Sequence, residues 1–160
     1  MYVDMFTLVY AVYYILPAYL ANALPTILGG KTPIDLGRGF LDGRPIFGKH
    51  KTIRGLLGGL AVGVITAFLQ NSLIVGGALT IGALLGDLGG AFIKRRLAFL
   101  PGQPFPILDQ LDFIVGAFLV VSVVSIPNIG TVFSIILITP IVHMVANTFA
   151  YLLGIKETPW

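Results

Sequence analysis

"GLLGGLAVGVITAFLQNSLIVGGALTIGALLG", residues 55–86, decides the fold: it is 32 residues without a charge, held between Arg54 and Asp87. A helix crosses the roughly 30 Å hydrocarbon core with about 20 apolar residues, so this run is long for one crossing and short for two. Gln70-Asn71-Ser72 interrupts it with three polar residues of the kind that favour a turn. Two helices over about 53–69 and 73–93 then result, the first of them short.

The charges on either side arbitrate. Working outward, residues 5–28 supply an apolar span upstream. Downstream, the 43 uncharged residues 113–155 are broken by Pro127-Asn128-Ile129-Gly130, giving spans over about 111–126 and 131–153. With five spans, Lys31, Arg38, Arg44, Lys49, Lys51 and Arg54 fall in or beside the first loop (29–52). Lys94, Arg95 and Arg96 fall in the loop 94–110, and Lys156 in the tail, so all ten Lys and Arg share one side. A single merged crossing would put the two basic loops on opposite faces, against the positive-inside rule. The expectation is an all-α integral membrane protein with five transmembrane helices in one domain over 1–160. Its N-terminus is expected outside and its C-terminus in the cytoplasm.

Composition agrees. The chain is 56% hydrophobic and 11% charged, with a mean hydropathy of +0.94, too little polar surface to cover a soluble globule. Residues 1–28 carry no Lys or Arg and no small-residue cleavage signal, so the first span is expected to be retained. Without cysteine there is no disulfide framework, thiolate metal site or thiol nucleophile. The pI near 9.3 comes from residues beside membrane segments, which favours anionic lipid or phosphate partners over nucleic acid. Gly59/Gly63, Gly82/Gly86 and Gly86/Gly90 are spaced four apart, as suits close helix packing.

Three acids stand out against this background. A carboxylate in a transmembrane helix is costly unless paired, metal-bound or wet. Asp87 has Lys94 and Arg95 seven and eight residues on, so an intrahelical charge ladder is one reading. Asp109 and Asp112 are three apart near the start of the fourth span, where acids suit a helix N-terminus. The other reading joins them. The connection carrying Pro101, Pro104 and Pro106 is short enough to return the fourth helix beside the third, bringing three carboxylates to one rim of a membrane cleft. Oxygen ligands without Cys favour Mg²⁺ over zinc.

"DGRPIFGKHKTIRG", residues 42–55, adds the opposite charge. Basic residues beside a span serve as topology anchors. The same cations, with the Thr52 hydroxyl and flexible glycines, also suit a polyphosphate site. Acids for a metal and bases for phosphate on one side of the membrane point to a nucleotide.

The run Gly86-Asp87-Leu88, Lys94-Arg95, Pro101-Gly102, then Asp109-x-x-Asp112, resembles the signature of the phosphatidate cytidylyltransferases, and "FGKHKTIRGLLGG" resembles their Lys-rich segment before a transmembrane helix. The block "NALPTILGGKTPIDLGRGFLDGRPIFGKHKTIRG" and the short chain resemble the archaeal branch, the CDP-archaeol synthases. Gln103-Pro104-Phe105, Gln110 and Phe113 depart from the bacterial pattern, which favours that branch. The resemblance implies transfer of a cytidylyl group from CTP to an unsaturated archaeal diether glycerol phosphate with geranylgeranyl chains, releasing pyrophosphate, with Mg²⁺ as cofactor, at the cytoplasmic side of the cell membrane.

Within that reading, Asp87 and Asp109 are the expected metal ligands, with Asp112 as a third or supporting acid. Lys49, Lys51, Thr52, Arg54, Lys94 and Arg95 would hold the triphosphate and the lipid phosphate; Asn22, Asp42 and Arg44 are weaker candidates for substrate contact. The alternatives are a CDP-diacylglycerol synthase acting on phosphatidate, a CDP-alcohol phosphotransferase, whose acid-rich motif is matched only at Asp42-Gly43-Arg44, or, in a different class, a small ion-coupled carrier. A homo-oligomer is left open.

Overall fold

The structure, a computed structural model, describes residues 4–100, 103 and 105–154. Five helices follow in order: α1 (Met5–Leu28), α2 (Ile53–Leu69), α3 (Leu73–Arg96), α4 (Pro106–Val124) and α5 (Ile129–Leu152). Two isolated bridges in the first loop, Pro33 with Thr52 and Gly39 with Pro45, are the β pairing among the described residues. Four helices are long and apolar enough to cross a membrane. The 17 residues of α2 rise about 25 Å, short of the hydrocarbon thickness, as its sequence foreshadows.

Several boundaries differ from the sequence reading, two of them beside the charged end. α3 continues through Lys94–Arg96 and α4 begins at Pro106, so the connection is 97–105 rather than 94–110. The physical causes are local: three cations in the last turn complement the α3 dipole, and Pro106 occupies the first helical position of α4, where its missing N–H costs nothing. α4 also ends two residues earlier than read, and α5 begins two and ends one residue earlier. Pro101, Gly102, Pro104 and Lys156 lie outside the described residues.

Consecutive helices run antiparallel, and small residues set their approach. A Cβ built on Gly59 would lie 3.2 Å from Pro25 Cγ on α1 and 3.0 Å from Leu84 Cδ2 on α3. On α3, a Cβ at Gly82 would meet Ala117 Cα at 2.7 Å, and one at Gly86 would meet Gly116 Cα at 3.0 Å. The α3–α4 seam is therefore nearly backbone against backbone, as the four-residue glycine spacing predicts. Around it sits a core that includes Ala11, Ile15, Leu79, Phe113, Ala117 and Ile135. The outward faces are apolar, with Phe6, Val123 and Ile126 almost fully exposed, as lipid contact requires.

This path places α1's start, the Gln70–Ser72 turn and the α4–α5 link at one end of the bundle. The 29–52 loop and the 97–105 connection lie at the other. Nine of the ten Lys and Arg, all those described, lie at that second end.

Candidate active site

The first loop is a folded element, organised by Asp35. Its side chain is 7% exposed. Oδ1 accepts from the Gly37 amide at 3.0 Å, and Oδ2 from the amides of Phe47 and Gly48, both at 2.9 Å. Burial pushes this carboxyl up, but the amides of Gly48, Phe47 and Gly37 outweigh it and hold it below its ordinary value. The loop's end is tied to its beginning by Ile34 N donating to Lys51 O at 2.8 Å and Ile53 N to Thr32 O at 3.1 Å.

Thr52 completes the joint. Its hydroxyl donates to Gly29 O at the end of α1 and accepts from the Gly55 amide at the start of α2, both at 3.1 Å. One buried side chain thus caps two helices. Its donor proton is committed to the backbone, a different task from the phosphate contact expected of it. Lys51, the residue before it, is consequently aimed at α3.

There it meets Asp87: Lys51 Nζ lies 2.6 Å from both carboxylate oxygens. Lys94, 8% exposed, lies 2.8 Å from both oxygens of Asp109 on α4. The intrahelical ladder from Asp87 to Lys94 is thus not formed. Seven residues are about 10.5 Å of helix rise, whereas the facing helix and the folded loop bring partners within a hydrogen bond. The capping reading of Asp109 holds together with its ion pair, since Oδ2 also accepts from the Phe105 amide at 2.9 Å.

Asp112, on α4, packs against Gly86 and Gly90 of α3. Its one side-chain hydrogen bond among the described residues is from the Phe113 amide at 2.6 Å, and no cation pairs with it there. Gly90 makes room for it, because a Cβ there would sit 2.7 Å from Asp112 Cγ. Asp87, Asp109, Asp112, Lys51 and Lys94 are therefore one constellation, spread over α3, α4 and the end of the first loop.

The remaining candidates divide. Asp42 and Arg44 fasten the loop to α3: Arg44 Nη1 donates to Arg96 O at 2.5 Å, and Asp42 Oδ2 forms an ion pair with Arg96 Nε at 3.1 Å, too poorly angled for a hydrogen bond. Arg96, which sequence reading left out of the site, completes this clamp with Nη2 donating to Pro45 O at 2.6 Å and its guanidinium 4.8–4.9 Å from the rings of Phe92 and Phe40. Arg95 is 6% exposed, donates to Phe99 O at 2.7 Å and keeps Nε buried without a partner. Lys49 and Arg54 are exposed, and Asn22 is half-buried on α1. The sequence reading also passed over Asp35; an Asp two residues before a glycine, in a loop otherwise rich in cations, was the available sign of its turn.

Hard carboxylate donors on adjacent helices suit Mg²⁺, which takes one or two carboxylates and completes its shell with water and phosphate oxygens. Among the described residues no three His, Cys, Asp or Glu side chains are grouped closely enough to hold a metal ion; Asp87 and Asp109 are engaged by Lys51 and Lys94 instead. A metal at these acids would need most of its ligands from water and phosphate oxygens.

Known proteins place the chain. A family model described as CarS-like, CDP-archaeol synthase, matches residues 3–79 and 71–160. The CDP-archaeol synthase of Pyrococcus abyssi is 44% identical over 162 residues, covering 94% of this chain and 96% of that one. That of Methanocaldococcus jannaschii is 41% identical, with the same coverages, and that of Thermofilum pendens is 43% identical over 92% of this chain and 78% of its own. A solved structure of an intramembrane enzyme for archaeal membrane lipid biosynthesis superposes with a TM-score of 0.78 at 37% identity, over 88% of this chain and 94% of its own. The five-helix bundle, with its acids and lysines gathered at one end, belongs to the CarS-like family of CDP-archaeol synthases, membrane-embedded cytidylyltransferases.

Proposed function

We propose that the charged end of the bundle joins CTP to an unsaturated diether glycerol phosphate with geranylgeranyl chains, at the cytoplasmic face of the cell membrane. The observation that carries this reading is the Asp87–Lys51 pair and the Asp109–Lys94 pair on facing elements, with Asp112 packed against Gly86 and Gly90 of the same α3 face. Few arrangements other than a polyanion with its metal would use both the acids and the lysines.

In the reaction, a lipid phosphate oxygen attacks the α-phosphorus of CTP. The bond from that phosphorus to the bridging α–β oxygen breaks, and pyrophosphate leaves. The nucleophile is already ionised near neutral pH, so no strong general base is needed; the protein's work is positioning and charge neutralisation. Asp87, Asp109 and Asp112 would hold Mg²⁺, which neutralises charge developing on the phosphoryl oxygens. Lys51 and Lys94 exchange their carboxylate partners for phosphate oxygens when the nucleotide arrives, and exposed Lys49 and buried Arg95 add cationic donors around it. The two pairs seen here keep four charged groups compensated before substrate binds.

Pyrophosphate release by purified protein with CTP, Mg²⁺ and either a diether or a diacyl glycerol phosphate tests the reading. Turnover that needs nucleotide, metal and lipid together, fails with ATP or EDTA and is faster with the diether supports it. Equal rates without lipid, or no turnover by folded protein, overturn it.

A further inference from the structure

Beside the joint formed by Thr52, on the outer surface of α2, lies an open groove of about 700 Å³ lined by Gly30, Lys31, Thr32, Ile53, Arg54 and Leu57. Its two cations differ from those of the site. Lys51 and Lys94 are already paired with carboxylates, whereas Lys31 and Arg54 have no hydrogen-bond or ion-pair partner among the described residues and are exposed. Gly30 has φ 152°, and a Cβ there would lie 2.9 Å from Thr52 Cβ and 3.3 Å from Arg54 Cβ. The backbone therefore runs hard against the α2 entry and leaves the groove open.

The groove's floor is apolar. Ile53 and Leu57 are exposed and begin a stripe of exposed residues at helical spacing that continues through Ala61, Val64 and Phe68. From Ile53 to Phe68 the stripe rises about 22 Å, more than the roughly 15 Å of hydrocarbon in one leaflet. Two unpaired cations at the head of such a stripe match a ligand with a phosphate at one end and a long chain at the other. A free nucleotide matches only the cations.

We propose that this groove docks the phosphate of the lipid acceptor, with Lys31 and Arg54 neutralising it and the outer stripe of α2 carrying one of its chains. The inference rests on the reaction proposed above and divides its cations: Lys51 and Lys94 serve the nucleotide, Lys31 and Arg54 the lipid. Arg54 stands three residues after Lys51, so a phosphate held there waits across the Thr52 joint from the metal-binding acids.

Two measurements test it together. The first is steady-state kinetics of Lys31→Gln, Arg54→Gln and the double variant in detergent. The double variant is expected to raise KM for the lipid phosphate about tenfold, as loss of charge-assisted hydrogen bonds implies, with KM for CTP within about twofold and Arg54→Lys recovering most of the change. A rise in KM for CTP instead, or no rise for the lipid, overturns the assignment while leaving the reaction standing. The second measurement needs no turnover: a lipid phosphate with a photoreactive chain, in nanodiscs, should label the α2 peptide containing Leu57, and less so in the double variant. Equal labelling by the same lipid without its phosphate would mean ordinary bilayer contact and overturn the docking site. If wild-type protein labels at α2 but never consumes CTP, the proposed reaction fails and the groove's lipid specificity stands by itself.

Discussion

The two ends of the bundle are built from different materials. At one end the links are short and uncharged. Gln70–Ser72 joins α2 to α3 with Asn71 at φ 53°, and a four-residue stretch, Ser125–Asn128, joins α4 to α5. The inter-element polar contact there is modest, Gln70 Nε2 donating to Tyr13 O at 2.7 Å. At the other end a 24-residue connection between α1 and α2 folds around a buried aspartate and reaches across to α3. Turning a chain in a membrane protein takes a few residues; the second end is longer, folded and charged.

Substitutions should sharpen this contrast. The largest effect is expected from Asp87→Asn or Asp112→Asn, which keep shape and remove a charge proposed to hold the metal. Either should lower turnover by roughly 10³-fold while the protein stays monodisperse in detergent, and retained activity would remove that acid from the site. Next comes Gly90→Ala. The added methyl collides with the Asp112 carboxylate, so a shift of about 1 Å should cost on the order of 10²-fold in rate and 1–3 kcal/mol in stability. Gly77→Ala and Gly89→Ala meet nothing within 4 Å and should be close to neutral in thermal unfolding. Equal behaviour of Gly89 and Gly90 would mean that the seam does not set the acid's position.

Asp35 links the loop fold to pH. Its folded-state carboxyl is held below the ordinary value of about 3.9, so ionisation favours the folded loop. That contribution is complete above the unfolded value and is lost as pH falls through the folded one. Asp35→Asn should cost about 1–3 kcal/mol by setting a side-chain amide against backbone donors, and should flatten the acid limb of a stability–pH profile. A profile unchanged below pH 4 would argue against the three amide bonds. Smallest of all, Gln70→Ala at the end without described Lys or Arg should cost about 1 kcal/mol or less and leave the rate of nucleotide transfer as it was.

Much of this was legible in the sequence, and the illegible part has a physical reason. Apolar runs, polar breaks and the distribution of ten cations sufficed for five helices with both basic loops at one end, because each depends on neighbours in the chain. The glycines four apart announced the α3–α4 seam for the same reason. The partners of the acids were not readable. Lys51 and Asp87 are 36 residues apart, and their meeting depends on Asp35 gathering amides from residues 37, 47 and 48, a pattern with no period to detect. Thr52 illustrates the converse: a hydroxyl among cations reads as a phosphate donor until both its hydrogen bonds are found committed to the backbone.

The central claim is that the carboxylates of the α3–α4 seam hold the metal against the nucleotide's phosphates. Mn²⁺ accepts the same oxygen ligands as Mg²⁺ and is paramagnetic, so its binding with CTP can be followed by electron paramagnetic resonance without turnover. The account predicts Mn²⁺–CTP binding to wild-type protein that weakens at least about tenfold, some 1.4 kcal/mol, in Asp87→Asn and Asp112→Asn and is unaltered in Gln70→Ala. Equal affinity in all four proteins would contradict it.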